Sequence, residues 1–575
     1  LSTELLKPRV LPKLDFEDGI PEEWRTLVVV PVLFQSVEEV REDLERLELR
    51  ALANPDPNLH FALLMDFPDA PQLVMPEDAS LLATAVSGIE QLNARYGSRR
   101  FSLFHRPRQW SVTEQVWMGW ERKRGKLEEL NRLLVSRLPG NGNRDVRGTR
   151  PTTMEHVGHP EALDGIRSVI TLDSDTQLPF GAARRLIEAM AHPLNRPRLA
   201  PDGQMVVGGY TVIQPRVSTS LPSATATRFS RFFTDPVGTD PYTQAVADVY
   251  QDLTGEASYF GKGIYDVATF HRVLDGRFPD GLLLSHDLVE GAHVRVGLAS
   301  DIELYDQFPS SYLAYSRRSH RWIRGDWQIA DWCTPRVPAG AALRGSRRRR
   351  VPNPLSTLNR WKIFDNLRRS LVPAATVALL LTGWLAAPRA AALWSVLAAL
   401  VFLLPPLLRL IAWITLEPRA ALDFRRGGHG WHEQANAWVR GALTAVFLPH
   451  QAWVNLDAIV RVFYRRWISH RRLLQWQTSR MVRPAGGQSK RQLIGHLLPT
   501  TILALLTAAV LSVRAPEAMP AALPFLLAWI LAPAAAVWLD SGRRRPASAA
   551  LSPGERTLLR RVARQTWRYF DDLVG

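Results

Sequence analysis

Two textures of apolar patterning divide the chain. Through about residue 340, short apolar runs alternate with stretches of helical spacing. The run Leu27-Val-Val-Val-Pro-Val-Leu-Phe34 has the length and β-branched content of a buried strand, and Val37 to Leu49 follows with helical period. Phe61-Ala-Leu-Leu-Met65 reads as a second strand that stops at Asp66. Helical patterns then cover about 78 to 94 and 125 to 138, and Val169-Ile-Thr-Leu172 stops at Asp173-Ser174-Asp175. Continuous apolar strands separated by helices predict a buried parallel α/β sheet, and such sheets bind ligands at the carboxyl ends of their strands. Both acidic signals fall at such ends.

Beyond about residue 370 the texture changes. Leu371 to Ala387, Ala390 to Leu416, Gln492 to Val513 and Pro520 to Leu539 are almost free of charge and close to the ~20 residues that cross a bilayer, so four spanning helices are expected. Gly441 to Tyr464 is apolar but carries Pro449, His450 and Asp457, which predicts an interfacial or re-entrant helix, with a fifth span as the alternative. The expected division is an α/β domain over 1–340, a basic linker and juxtamembrane segment over 341–370, a transmembrane region over 371–540 with its interfacial segment at 425–490, and a tail over 541–575.

Charge sharpens this picture. A net charge of +16 asks for an anionic partner: nucleic acid, lipid headgroups or a phosphorylated substrate. The arginine runs Arg347 to Arg350, Arg368-Arg369, Arg465-Arg466 and Arg543 to Arg545 flank the apolar stretches, which favours a lipid bilayer over nucleic acid. Only Arg389 lies between the first two spans. All the heavily basic segments therefore fall on one side, the cytoplasmic one, together with the α/β domain. The single cysteine, Cys333, has neither a disulfide partner nor zinc-site companions. The chain opens on Leu1 without a signal-peptide pattern and is expected to be a piece of a longer polypeptide.

Candidate chemistry sits on the α/β part. Asp173 and Asp175 flank Ser174 at a strand end and can aim hard oxygen ligands at one Mg²⁺ or Mn²⁺; acidic capping residues give the same triplet. Asp66 is placed to meet a nucleoside, or is an ordinary turn residue. The cluster Arg122-Lys-Arg-Gly-Lys126 opens a helix and suits phosphate, Lys126 above all, although such clusters are often solvated faces. Phe260-Gly-Lys-Gly263 is a glycine-rich turn that lets a ligand approach the backbone at Gly263. Ser285-His-Asp287 offers a carboxylate as general base, compatible with a helix N-cap. In Arg317-Arg-Ser-His-Arg-Trp322, Arg318 and Arg321 share a helix face and suit a diphosphate, and Trp322 suits a sugar ring.

In order and spacing, these features followed by membrane spans resemble the processive inverting glycosyltransferases of the GT-A fold, the cellulose-synthase-like group with the pattern D, DxD, TED, QxxRW. Leu11-Pro-Lys-Leu-Asp-Phe16, Arg25-Thr-Leu-Val-Val-Val-Pro31, Leu284-Ser-His-Asp-Leu288 and Leu473-Leu-Gln-Trp-Gln-Thr478 are similar to the cyclic β-1,2-glucan synthases, glycosyltransferase family 84. The resemblance implies a GT-A domain with Asp173 and Asp175 on the metal, Asp287 as base, and Arg318, Arg321 and Trp322 on diphosphate and acceptor. It also implies UDP-glucose as donor, a growing glucan as acceptor, a bacterial inner-membrane location and a phosphorylase-like domain beyond residue 575. His286 stands where the wider group has Glu, and Arg318 where it has Gln. Another processive β-glucan synthase, or a catalytically silent scaffold that binds nucleotide sugars, are the competing expectations.

Overall fold

The computed structural model describes residues 9–138, 153–234, 249–340, 349–416, 428–475, 490–541 and 552–573. Trp476 to Thr478 and Arg543 to Arg545 lie outside the described residues, as does part of the expected linker.

Alternation within the first strand organises the α/β half. In β1 (Thr26–Leu33), Val28, Val30 and Val32 face one apolar layer, while Leu27 and Val29 face the other. A strand buried on both faces needs helices on both. One layer is closed by α1 (Val37–Ala53), α2 (Asp78–Arg95) and α4 (Ala182–Ala191), the other by α3 (Arg122–Ser136), α5 (Val267–Leu274) and α6 (Asp287–Val294). Each fully buried aliphatic side chain contributes about 1.5–3 kcal/mol. Ser36 starts α1 by accepting the amide of Glu39.

The remaining strands are β2 (Leu59–Asp66), β3 (Phe101–His105), β4 (Glu155–Val157), β5 (Ser168–Thr171), β6 (Val212–Thr219), β7 (Gly263–Asp266) and β8 (Val296–Asp306), in the spatial order β8-β6-β7-β5-β1-β2-β3-β4. The expected all-parallel sheet is corrected to a mixed one: β7 runs antiparallel to both β6 and β5, and β4 antiparallel to β3. The reversal serves the site. It brings the start of β7 to the same sheet edge as the ends of β1, β2, β5 and β8.

From α7 (Tyr312–Gln328) the chain passes to α8 (Thr357–Ala386). The basic stretch expected as a linker is in its second part the opening of this helix. Ser356 caps it, Asn359 donates to the carbonyl of Ala292 (3.1 Å), and Lys362 donates to that of Ala257 (3.0 Å), so the α/β half holds its first turns. Then follow α9 (Ala391–Leu416), α10 (Gly428–Val446), α11 (Leu448–Phe463), α12 (Lys490–Arg514), α13 (Met519–Ile530), α14 (Ala532–Asp540) and α15 (Pro553–Leu573). Among the described residues three helices, Thr357–Ala386, Pro388–Thr415 and Lys490–Arg514, are long and apolar enough to cross a membrane. Pro516–Ile530 and Ala532–Asp540 bend by 42° and make a fourth if the pair is one span. The stretch read as one interfacial helix is split between α10 and α11, which break at Phe447.

Candidate active site

Asp66, Lys126, Asp173, Asp175, Asp287, Arg318, Arg321 and Trp322 all border one cavity of about 800 Å³ at the carboxyl edge of the sheet. Gly263 is not on its wall.

The paired aspartates follow β5. Arg50 of α1 donates to the carbonyls of Ser174 (2.9 Å) and Thr176 (2.8 Å) and so holds the loop in place. Both Asp173 oxygens meet ammonium groups, Lys123 at 2.8 Å and Lys262 at 2.9 Å. Burial opposes ionisation of Asp173, but these two lysines prevail and hold its carboxyl well below the usual range. Asp175 behaves oppositely: burial and the like charges of Asp306 and Asp173 push its carboxyl up. Asp306 closes β8, accepting from Thr176 Oγ1 (2.7 Å) and Lys262 Nζ (2.7 Å).

Asp66 and Lys126 lie deeper. Asp66 is bound bidentately by Arg106 (2.7 and 3.0 Å), which also reaches Glu129 at 3.1 Å. Lys126 approaches Asp66 at 3.3 Å and donates to the carbonyls of Val32 and Leu64. Burial pushes the Lys126 ammonium down to about 8, against the pull of Asp66. Lys123, one helical turn earlier, has its ammonium between Asp173 and the Gly261 carbonyl (3.0 Å). Gly263 is packed against a neighbouring strand. A Cβ there would lie 2.5 Å from the Ile213 carbonyl oxygen of β6, so its φ of +134° serves strand packing. Gly261 (φ +79°) packs on the Asp287 carboxylate, since a Cβ there would lie 2.6 Å from its Oδ1, and Gly119 lies on the cavity wall against Asp66.

Asp287 begins α6 but does not cap it; the N-cap position belongs to His286, without a side-chain capping bond. Instead Asp287 Oδ1 is buried with no hydrogen-bond partner among the described residues. Beside it, His286 Nδ1 lies 2.8 Å from Glu290 and 3.5 Å from Asp287. Burial disfavours the imidazolium, but Glu290 and Asp287 outweigh it and raise the His286 pKa. These three side chains bring ligand atoms within 4.8 Å of one another, a constellation able to hold a metal ion.

On α7, Arg318 lies over the Trp322 ring at 4.3 Å and Trp322 is 44% exposed. Burial, then Arg318, lowers the Arg321 guanidinium to about 10, with Asp173 and Asp175 acting against them. His320 turns away and pairs with Asp457 of α11 at 2.8 Å. Tyr312 stacks on Phe447 at 4.0 Å and bonds His450 (2.9 Å), so α7 is backed by the helical half.

Over its whole length the chain is 39% identical to a segment of the cyclic β-(1,2)-glucan synthase NdvB of Rhizobium meliloti (strain 1021). The chain is thus similar to part of a cyclic β-1,2-glucan synthase. It spans 19% of the length of that relative, about one fifth. No protein-family model matches it. Sequence reasoning passed over Asp306 and Arg106, and did not single out Lys123 or Lys262 within the runs that contain them. Asp306 had a legible signal, an acid at a strand end like Asp66 and Asp173. For Arg106 there was none, because a buried arginine is recognised only by the carboxylates it meets across the fold.

Proposed function

We propose that this chain carries the polymerising centre of a membrane-bound inverting glucosyltransferase, built on a GT-A type sheet, that transfers glucose from UDP-glucose to a growing β-1,2-glucan. One observation carries the reading. A carboxylate with one oxygen free of hydrogen bonds among the described residues, a paired-aspartate loop and two arginines beside an exposed indole converge on one cavity, in a chain similar to a glucan synthase.

Asp287 accepts the proton of the acceptor 2-hydroxyl, whose oxygen bonds to the anomeric carbon as that carbon's bond to UDP breaks. Displacement from the far side inverts the α-linked donor to a β-linked product, with no covalent enzyme intermediate. Arg318 and Arg321 stabilise the departing diphosphate, with Lys123 nearby. The donor set fits Mg²⁺ or Mn²⁺, because the crowded negative charge that raises the Asp175 pKa is what a divalent cation relieves. Asp175 and Asp173 would hold the ion, which supplies charge neutralisation on the diphosphate. The reading sets the α/β half on the cytoplasmic face of the bacterial inner membrane, with a phosphorylase-like domain as the partner that limits chain length.

Membranes carrying the protein should convert UDP-glucose and Mg²⁺ or Mn²⁺ into 1,2-linked product, and EDTA should abolish the conversion. A 1,3- or 1,4-linked product would change the assigned acceptor hydroxyl. Absence of UDP release would remove the transferase reading altogether.

A further inference from the structure

The cavity extends past Trp322 to a wall that the transfer step does not use. On α7, Arg318, Trp322 and Asp326 follow at intervals of four residues and border the same cavity. Across from Asp326 stand Asn366 and Arg369 on the first turns of α8, before its apolar stretch. The two helices are pinned beside this point, since Trp327 Nε1 donates to Ser370 Oγ at 2.9 Å. Loop 283–286, which leads into the base, is pressed against α7 at the same level. A Cβ on Gly325 would lie 2.3 Å from the Ser285 Cβ, and Gln328 accepts the Leu284 amide at 2.7 Å.

Asp326 needs an explanation in this wall. Burial pushes its carboxyl up to about 7, with only Arg369 acting against the shift, and it takes no hydrogen bond among the described residues. The side chain is part-exposed and borders the cavity, so its oxygens are open to a donor that enters there. A ligand rich in hydroxyl groups would supply the missing donors, and carboxylate oxygens accept such pairs readily. The spacing suits one kind of ligand. Asp326 lies four residues beyond Trp322, about 6 Å along the helix, the scale of one pyranose ring.

We propose that Asp326, Asn366 and Arg369 form a binding subsite for the second sugar of the acceptor, one residue beyond the sugar that stacks on Trp322, on the side facing the helical half. The inference rests on the glucosyltransferase reading. Asp326 accepts from that sugar's hydroxyls, while Asn366 and Arg369, which hydrogen-bond each other, face it from α8. The subsite gives an acceptor of two or more residues a hold that glucose alone lacks.

The test compares acceptors on the intact membrane protein, measuring UDP release with no acceptor, with glucose, and with β-1,2-linked di- and trisaccharides. In Asp326→Ala the KM for di- and trisaccharide should rise about tenfold, the worth of one good polar contact. The KM for UDP-glucose, its slow hydrolysis and the use of glucose should stay unchanged. Asp326→Asn, which keeps the size of the side chain, should fall between and control for folding. An unchanged disaccharide KM, or equal losses with glucose and disaccharide, would overturn the subsite while leaving transfer intact. A wild-type protein that releases no UDP under any condition would instead remove the glucosyltransferase reading beneath it.

Discussion

The two halves of this chain hide opposite kinds of side chain. In the α/β half, charge goes inside: Arg106, Asp66, Lys126 and Glu129 are all buried, as is Lys262 beside Asp306, and each is paired. In the helical half, aliphatic side chains face outward, with Leu505, Leu506 and Val513 of α12 all exposed. Within its apolar stretches small hydroxyls such as Thr376, Ser395, Thr500 and Thr507 are buried, and they serve helix contacts: Trp384 Nε1 donates to Ser395 Oγ (2.9 Å), which donates to the Ala521 carbonyl (3.0 Å). Buried charge is expensive and persists where pairing or chemistry requires it. Outward apolar surface is stable where the surroundings are apolar too. The difference fits two surroundings, a polar cavity under the sheet edge and, for helices of this length and composition, an apolar exterior.

The sharpest way to break the first side of this comparison is Asp287→Asn. It keeps size and shape but removes the proposed proton acceptor, so transfer should fall by roughly 10² to 10⁴. UDP affinity and yield in the membrane should hold, because Asp287 makes no capping bond to lose. Initial rate and UDP binding on the same preparation decide it; a variant with most of its rate would move the search to Glu290.

The second side is tested by a matched pair of exposed apolar residues on helices, Ile502 (48% exposed) in α12 and Leu49 (64% exposed) in α1. If α12 crosses lipid, Ile502→Arg puts a charge near the centre of a span at a cost of about 2.5–3.5 kcal/mol. Leu49→Arg, facing water, should stay within about 0.5 kcal/mol. Membrane-fraction yield and thermal stability should drop for the first alone, and equal behaviour of the two would erase the distinction between the halves.

What could be read beforehand follows the same divide. The strands were legible because β1 and β2 are unbroken apolar runs, and Asp66 and Asp173 stood out as the acids that end them. The spans were legible by length. Local pattern could not show that β7 runs against its neighbours, since Gly263–Asp266 is four residues long and direction is settled by pairing. Nor could it tell Lys123 from Lys126, three apart on one helix, because which one reaches Asp173 and which Asp66 depends on how α3 is rolled against the sheet. Gly261 and Gly263 were indistinguishable for the same reason: what a Cβ would strike at each is decided by a segment remote in sequence. Asp326 carried no signal at all, being one more acid on an amphipathic helix.

The smallest expected effect concerns His286, the buried imidazole beside Asp287. Its folded-state pKa is raised above the ordinary 6.5, because Glu290 and Asp287 prevail over burial and over the repulsion of Lys123. A group whose pKa rises on folding stabilises the fold fully below its unfolded value, and that contribution is lost as pH rises through the folded one. Wild-type thermal stability should therefore decline from about pH 6.5 upward, with transfer following as the ordering of Glu290 and Asp287 loosens. His286→Gln still offers a hydrogen bond to Glu290 but cannot titrate, so its stability should start lower in acid and lack this part of the slope. Melting curves of both proteins across this range are the measurement. Identical slopes would show that another group carries the pH dependence and that the imidazole at this site is neutral.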